Sequence, residues 1–255
     1  MDITGRTVFI PGATSGIGRA FAIALAERGN TVIVGGRRRE RIDAIRRDHP
    51  AIDGVVIDTA DPDSVARAAA EVIRRHPDLD VLVTMAGVMA AEDWRSPGGF
   101  VANAERTVTT NLLGPIRLIG AFIEHLLAQP DATIVTVSSG LAFAPLRPTP
   151  SYNATKAAIH MLSESLRLQY AETSVGVVEL VPPSVQTDLM PGHAENPQAQ
   201  PLDDFIAEVM AILEGDPDVR EVLVERVEFL RHGEARGDYD EVVRTLNRTD
   251  PHAAR

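Results

Sequence analysis

Seven short runs rich in β-branched residues alternate with longer helical stretches along this chain, and that alternation limits the fold more than any other feature. The runs are TVFI (7–10), TVIVG (31–35), GVVID (54–58), DVLVT (80–84), ATIVTVS (132–138), VGVVEL (175–180) and EVLVE (221–225). Many are continuously apolar, as expected of parallel strands covered on both faces. Between them, GIGRAFAIALAERGN carries apolar residues at helical spacing and reaches Gly29, a residue able to close a helix. DPDSVARAAAEVIRRH opens on Asp61 and Pro62, an N-cap and a first-turn residue. The stretch 100–128 predicts one long helix, with Gly114-Pro115 a place for a kink, and 152–172 predicts the next. Strand and helix in repetition predict one α/β domain over 1–255, a doubly wound parallel sheet with helices on both faces.

At 255 residues with 44% hydrophobic side chains, the chain can bury one large core. It has no cysteine, which removes disulfides, thiolate metal sites and cysteine nucleophiles. No two of its seven histidines fall at i, i+4, so no metal site is expected. A net charge of −11 argues against nucleic acid or an anionic membrane as partner. No run is apolar for long enough to span a bilayer, and the opening MDITGRTVFIPG lacks the basic stretch and cleavage site of a leader, so a cytoplasmic protein is expected. The segment 182–201, with five prolines, predicts a mobile loop after a strand, where open α/β sheets bind ligands. A substrate lid is therefore expected around 182–205, and a charged, half-helical extension over 226–255.

After the first run comes PGATSGIGRA, with Gly12, Gly16 and Gly18 in the spacing G-x-x-x-G-x-G. Glycine allows a tight turn and close approach of a phosphate to the backbone. The following helix offers unpaired N–H groups and the positive end of its dipole. Gly12, Thr14, Ser15, Gly16, Ile17 and Gly18 are thus expected to hold a pyrophosphate; no Gly-Lys-Ser/Thr follows, so this is not a P-loop. The second run ends at GGRRRER, where a dinucleotide fold places its ribose-recognising residue. Gly36 stands where an acid would bond the 2′-hydroxyl of NAD, and Arg37 and Arg38 follow. Arginine grips a 2′-phosphate with paired donors, so NADP is expected, with NAD the alternative. Further on, SYNATKAAIH sets Lys156 one helical turn from Tyr152. Alone, such a pair reads as surface neighbours or as a lysine tuning a tyrosine for proton transfer.

Several motifs in order carry a family resemblance: GATSGIG (12–18), Asp58-Thr59, Ala86-Gly87, Asn111, Ser139, Tyr152-x-x-x-Lys156 and the segment from Pro182 to Thr187. Over roughly 5–190 the chain resembles the classical short-chain dehydrogenases/reductases, and its opening and Pro-Pro loop are similar to the DltE-like oxidoreductases. The resemblance implies a single Rossmann-type domain and a tetrad of Asn111, Ser139, Tyr152 and Lys156, with Ser139 preferred to Ser138 by the family spacing of thirteen residues before the tyrosine. It implies that Asp58 meets the adenine amine, with Thr59 beside it, and that Ala86 and Gly87 line the adenosine ribose. Pro182, the backbone of Val185 and Thr187 would hold the nicotinamide end. Departures are Pro11 before Gly12, Thr84-Met85 for two asparagines, and Pro183 for a glycine. The second removes hydrogen bonds that steady the sheet.

In the chemistry so implied, Lys156 lowers the tyrosine pKa from about 10 so that Tyr152 gives a proton to a carbonyl or takes one from an alcohol. Ser139 holds the substrate oxygen, Lys156 also binds the nicotinamide ribose, and Asn111 holds a water by side chain or backbone. Thr155 and Asn153 read as helix surface, and His160 as packing. The substrate pocket is expected from 89–97 with Trp94, 140–150 and 187–205, its apolar middle pointing to a non-ionic carbonyl or alcohol. Helices 100–128 and 152–172 resemble those that pair in family dimers, so a homodimer or homotetramer is expected. The competing reading is a sensor or scaffold that binds NADP without turnover.

Overall fold

Each of the seven β-branched runs forms a strand. In the computed structural model, which describes residues 2–96 and 98–249, they are β1 Thr7–Pro11, β2 Thr31–Gly36, β3 Ile52–Val56, β4 Val81–Thr84, β5 Ala132–Val137, β6 Val175–Val181 and β7 Glu221–Leu223. All neighbours pair in parallel, in the order β3-β2-β1-β4-β5-β6-β7. The order reverses between β1 and β4, so the loops after these two strands diverge and leave a crevice at the carboxyl edge.

Helices cover both faces. α1 (Gly16–Glu27) and α7 (Leu202–Gly215) pack Phe21, Leu25, Phe205 and Val209 against Val8, Ile10, Val32 and Val34. α3 (Pro62–Arg75) and α5 (Gly114–Leu127) pack Val65, Val72, Leu118 and Phe122 against Phe9, Ile33 and Leu82. Neighbouring residues of one strand thus enter different cores, which is why the runs carry no polar side. Each fully buried Phe or Leu contributes about 1.5–3 kcal/mol of transfer free energy. The caps follow the sequence: Asp61 accepts from Asp63 N–H, and Gly29 adopts φ +81° beyond α1. α2 is Arg39–Asp48.

The single helix expected over 100–128 is instead three pieces: α4 Val101–Val108, a π-helical turn Thr109–Leu113, and α5. Pro115 is the cause. It has no N–H to give the carbonyl of Asn111, four residues back, so the α-helical ladder cannot run through it. Gly114 N–H bonds Thr109 C=O instead, the wider π register.

α6, Pro150–Gln169, carries the Tyr–Lys pair. The loop 182–201 is folded back on itself rather than loose. Val185 forms a parallel bridge with Gln200, and Met190, His193, Asn196 and Ala199 are buried. The last residues of the expected lid, 202–205, belong to α7. The extension is more helical than expected: α8 Glu225–Arg231, α9 Gly233–Arg236 and α10 Tyr239–Thr249. Its final residues, 250–255, lie outside the described residues, as does residue 97 of the expected pocket segment. Among the described residues no helix is long and apolar enough to cross a membrane.

Candidate active site

The crevice at the β1–β4 divergence is a cleft of about 660 Å³. At its centre the glycine turn is pressed against the loop after β4. Gly12 sits at φ +96°, and a Cβ there would lie 2.6 Å from Ala86 Cα, so only glycine fits. Its N–H is fixed by Gly35 C=O at 2.8 Å. Ser15 caps α1 by position but makes no capping bond with its side chain, and Gly16, Ile17 and Gly18 present the first turn to the cleft. Thr14 and Thr187 line the same wall, Thr187 about 3.5 Å from where a Gly16 Cβ would stand.

At one end Arg37 and Arg38 are exposed on the rim, and neither makes an ion pair among the described residues. Asp58 and Thr59 border this end. One Asp58 carboxylate oxygen accepts from Ala60 N–H at 3.0 Å, which fixes its rotamer. Ala86 and Gly87 form the floor.

At the closed end Ser139, Tyr152 and Lys156 meet, each more than nine-tenths buried. Ser139 Oγ accepts from Leu141 N–H at 3.2 Å. The Lys156 ammonium lies 5.5 Å from the Tyr152 ring centre and donates to Val137 C=O at 2.8 Å. The expectation that lysine lowers the tyrosine pKa is not met in this structure. Burial pushes the Tyr152 phenol up to about 12, with only the Ser139 hydroxyl pulling the other way. Burial likewise brings Lys156 down to about 8, opposed by the charge of Glu179. Taking both groups out of water outweighs their mutual influence.

Of the tetrad and cofactor-binding residues expected at the site, Asn111 alone is outside the wall; it stands behind it. Its Oδ1 accepts from Val88 N–H and its Nδ2 donates to Val88 C=O, both at 2.8 Å. The side chain thus braces the β4 loop, while Pro115 leaves the Asn111 carbonyl without its helical donor. Beyond Pro182, whose C=O accepts from Gly140 N–H at 2.9 Å, the Val185 bridge uses Ser184 C=O and Gln186 N–H. A parallel bridge of this kind turns the N–H and C=O of Val185 away from Gln200, and Val185 lines the cleft. Ser138 Oγ, also in this wall, is buried without a hydrogen-bond partner.

The family model described as short chain dehydrogenase matches residues 6–198. The chain belongs to the short-chain dehydrogenases. It is 36% identical over 250 residues to Uncharacterized oxidoreductase DltE of Bacillus subtilis (strain 168), covering 97% of this chain and 98% of that one, which agrees with the subgroup expected from its loops. It is 25% identical over 201 residues to the 3-oxoacyl-[acyl-carrier-protein] reductase FabG of Thermotoga maritima, covering 74% of this chain and 78% of that one. A short chain dehydrogenase from Burkholderia cenocepacia J2315, solved in complex with NADP, superposes with a TM-score of 0.79 at 27% identity, covering 98% of this chain and all of that one.

Several details of this short-chain dehydrogenase correct the sequence reading. Thr84 still supplies a sheet-bracing bond, a long one of 3.4 Å to Val135 C=O, while Met85 packs against the core. Thr155 and Asn153 are buried, not surface. Thr155 Oγ1 donates to Tyr152 C=O, and Asn153 ties Thr149 and Leu146 to α6. Trp94 does not line the cleft; its ring stacks on Phe100 at 4.3 Å and its N–H donates to Glu92. Residues 140–150 turn instead towards the extension, with Gly140 packed under Val227 and Leu230. The cleft is completed by Met89, Arg106, Leu189 and His193, which no motif marks. Met89, Leu189 and His193 fall in the segments 89–97 and 187–205 expected to line the pocket; Arg106, on α4, lies outside them.

Proposed function

We propose that this oxidoreductase transfers hydride between NADP(H) and a small carbonyl or alcohol, with Tyr152 as the proton donor or acceptor. The observation that carries the reading is Tyr152, Ser139 and Lys156 buried together at the closed end of a cleft whose open end carries two unpaired arginines. The cleft suits a dinucleotide by its own features. The Gly12 cradle excludes any side chain, the first turn of α1 faces in, and Ser138 Oγ and the Val185 backbone wait unbonded where a carboxamide would need partners. A bound nicotinamide supplies the hydride chemistry. Arg37 and Arg38 bind the 2′-phosphate, Asp58 and Thr59 border the adenine, and Ala86 and Gly87 the ribose. Ser139 orients the substrate oxygen, and Lys156 holds the nicotinamide ribose while favouring loss of the Tyr152 proton. A phenol held near 12 is fully protonated at neutral pH, so the resting site is loaded for carbonyl reduction. The segment 182–201 covers the substrate, and the site works within a homodimer or homotetramer.

The same raised phenol favours a second reading, a protein that binds NADP without turnover. The test is NADPH binding by fluorescence, and NADPH consumption against a panel of ketones, aldehydes, quinones and imines, for wild type and Tyr152→Phe. Loss of roughly 10²–10⁴ in rate with binding retained supports the enzyme. Equal rates in the two proteins, or no NADPH binding, refute it; binding with no turnover on any substrate selects the second reading.

A further inference from the structure

Lys156 is the only lysine in the chain; the other 24 of its 25 Lys and Arg residues are arginine. Among the described residues no carboxylate touches it. Its ammonium is held by Val137 C=O of β5, and the residue before Val137, Thr136, pairs in register with Glu179 of β6, fully buried in a strand that otherwise reads VGVV and LV, so the field of Glu179 reaches Lys156. An unpaired carboxylate in such a place costs several kcal/mol. Two basic side chains of α6 stand against Glu179. α6 sets Tyr152, Lys156 and His160 at intervals of four residues, and His160 Nδ1 lies 3.1 and 3.0 Å from the two Glu179 oxygens. Arg167, two turns further, is 3.8 Å from Glu179 and is strapped to the sheet by bonds to Val177 and Arg220 C=O.

Glu221 of β7 stands beside Glu179 in register, and Arg231 of α8 grips it with two bonds of 2.7 and 2.9 Å. The His160, Glu179 and Glu221 ligand atoms lie within 4.8 Å of one another, and Arg231 pairs with Glu221 while His160 and Arg167 stand against Glu179. Glu164 pairs with Arg167 at the surface. Facing Lys156 from other elements are Arg106 of α4 and Asp188 of the loop after β6. Both are exposed, so solvent screens them. Glu179 is fully buried, out of reach of solvent.

We propose that Glu179 is a positioning residue: its buried carboxylate, anchored by His160 and Arg167, holds the Lys156 ammonium charged beside Tyr152. The catalytic consequence rests on the function proposed above; the electrostatic one does not. Lys156 loses its proton as pH rises through about 8, and without Glu179 it loses it at lower pH.

Because there is one lysine, protein grown on isotope-labelled lysine reports this group as a single side-chain resonance, with and without NADPH. In E179Q its titration midpoint falls by about one pH unit, and the alkaline limb of carbonyl-dependent NADPH consumption falls with it, while KM for NADPH stays within about threefold. E179D, which draws the charge back by one methylene, gives a smaller shift in the same direction and serves alone if E179Q does not fold. A merely structural Glu179 lowers kcat at every pH and moves neither midpoint nor limb; an unmoved lysine titration overturns the proposal. A wild type without turnover refutes the enzyme reading and leaves the lysine titration to decide on Glu179.

Discussion

Burial dominates the chemistry of the two central side chains. Lys156 is charged at neutral pH only against the desolvation that brings it down to about 8, so the folded protein carries a cost that the unfolded chain does not. Between about 8 and the ordinary 10.5 the folded state binds fewer protons than the unfolded one. Stability therefore rises with pH through that window, and below it the full cost, of the order of 3 kcal/mol, is present. Lys156→Met removes the charge but leaves Val137 C=O without its donor, which offsets about 1–2 kcal/mol. The variant is expected to be more stable than wild type by roughly 1–2 kcal/mol at pH 7, with the gain gone by about pH 10.5, and to be inactive. Urea melts of the cofactor-free proteins at several pH values check it; a variant less stable at every pH contradicts it. Tyr152 and Lys156 stood out in the sequence by type and spacing, and Ser139 and Asn111 through the family resemblance. The balance between Tyr152, Lys156 and Ser139 was not legible, because it depends on how deeply α6 and the β5 edge bury them. Nor was the bracing of Val88 by Asn111, which arises from a loop 23 residues away.

In the proposed function the turn between β2 and α2 sets the cofactor preference, and sterics shape that turn. A Cβ at Gly36 would lie 2.5 Å from Thr14 Cγ2, so an acid at that position requires the Thr14 side chain to move. Discrimination falls to the rim, where Arg37 and Arg38 are exposed and without ion pairs among the described residues. Charge-assisted bonds to a phosphate contribute about 1.5–3 kcal/mol, so Arg37→Asp is expected to weaken NADPH binding by roughly 10- to 100-fold and to leave or improve NADH binding. Fluorescence titration with both nucleotides reads it; equal affinity of the wild type for the two removes the premise. The same scale shows what patterning conveys. The apolar period over 100–128 identified helix, and its Gly-Pro marked where regularity would fail. The π register was beyond it, because the residue that loses its partner is Asn111, four before the proline, and periodicity records side-chain faces rather than carbonyl partners.

At the scale of the molecule, the parallel sheet was legible because its central strands are covered on both faces and say so in their composition. What lies outside the covering helices was not. α5 leaves Ile116 and Leu127 each 44% exposed, and α6 leaves Met161 63% and Leu168 82% exposed. Met161 and Leu168 are seven residues apart and share one face of α6, away from the residues it turns to the sheet. Single exposed apolar residues are ordinary, but Met161 and Leu168 together give α6 an apolar outer face of the kind that a second copy covers. The net charge of −11 works against self-association at low salt, so contact must come from this apolar area and strengthen as salt screens the repulsion. Sedimentation at about 150 mM salt is therefore expected to give a dimer or tetramer. Met161→Glu with Leu168→Glu is expected to give a monomer whose melting changes by no more than about 0.5 kcal/mol per site, since neither side chain contributes to the core. A wild type that sediments as monomer at both low and high salt would show that the patch faces only water.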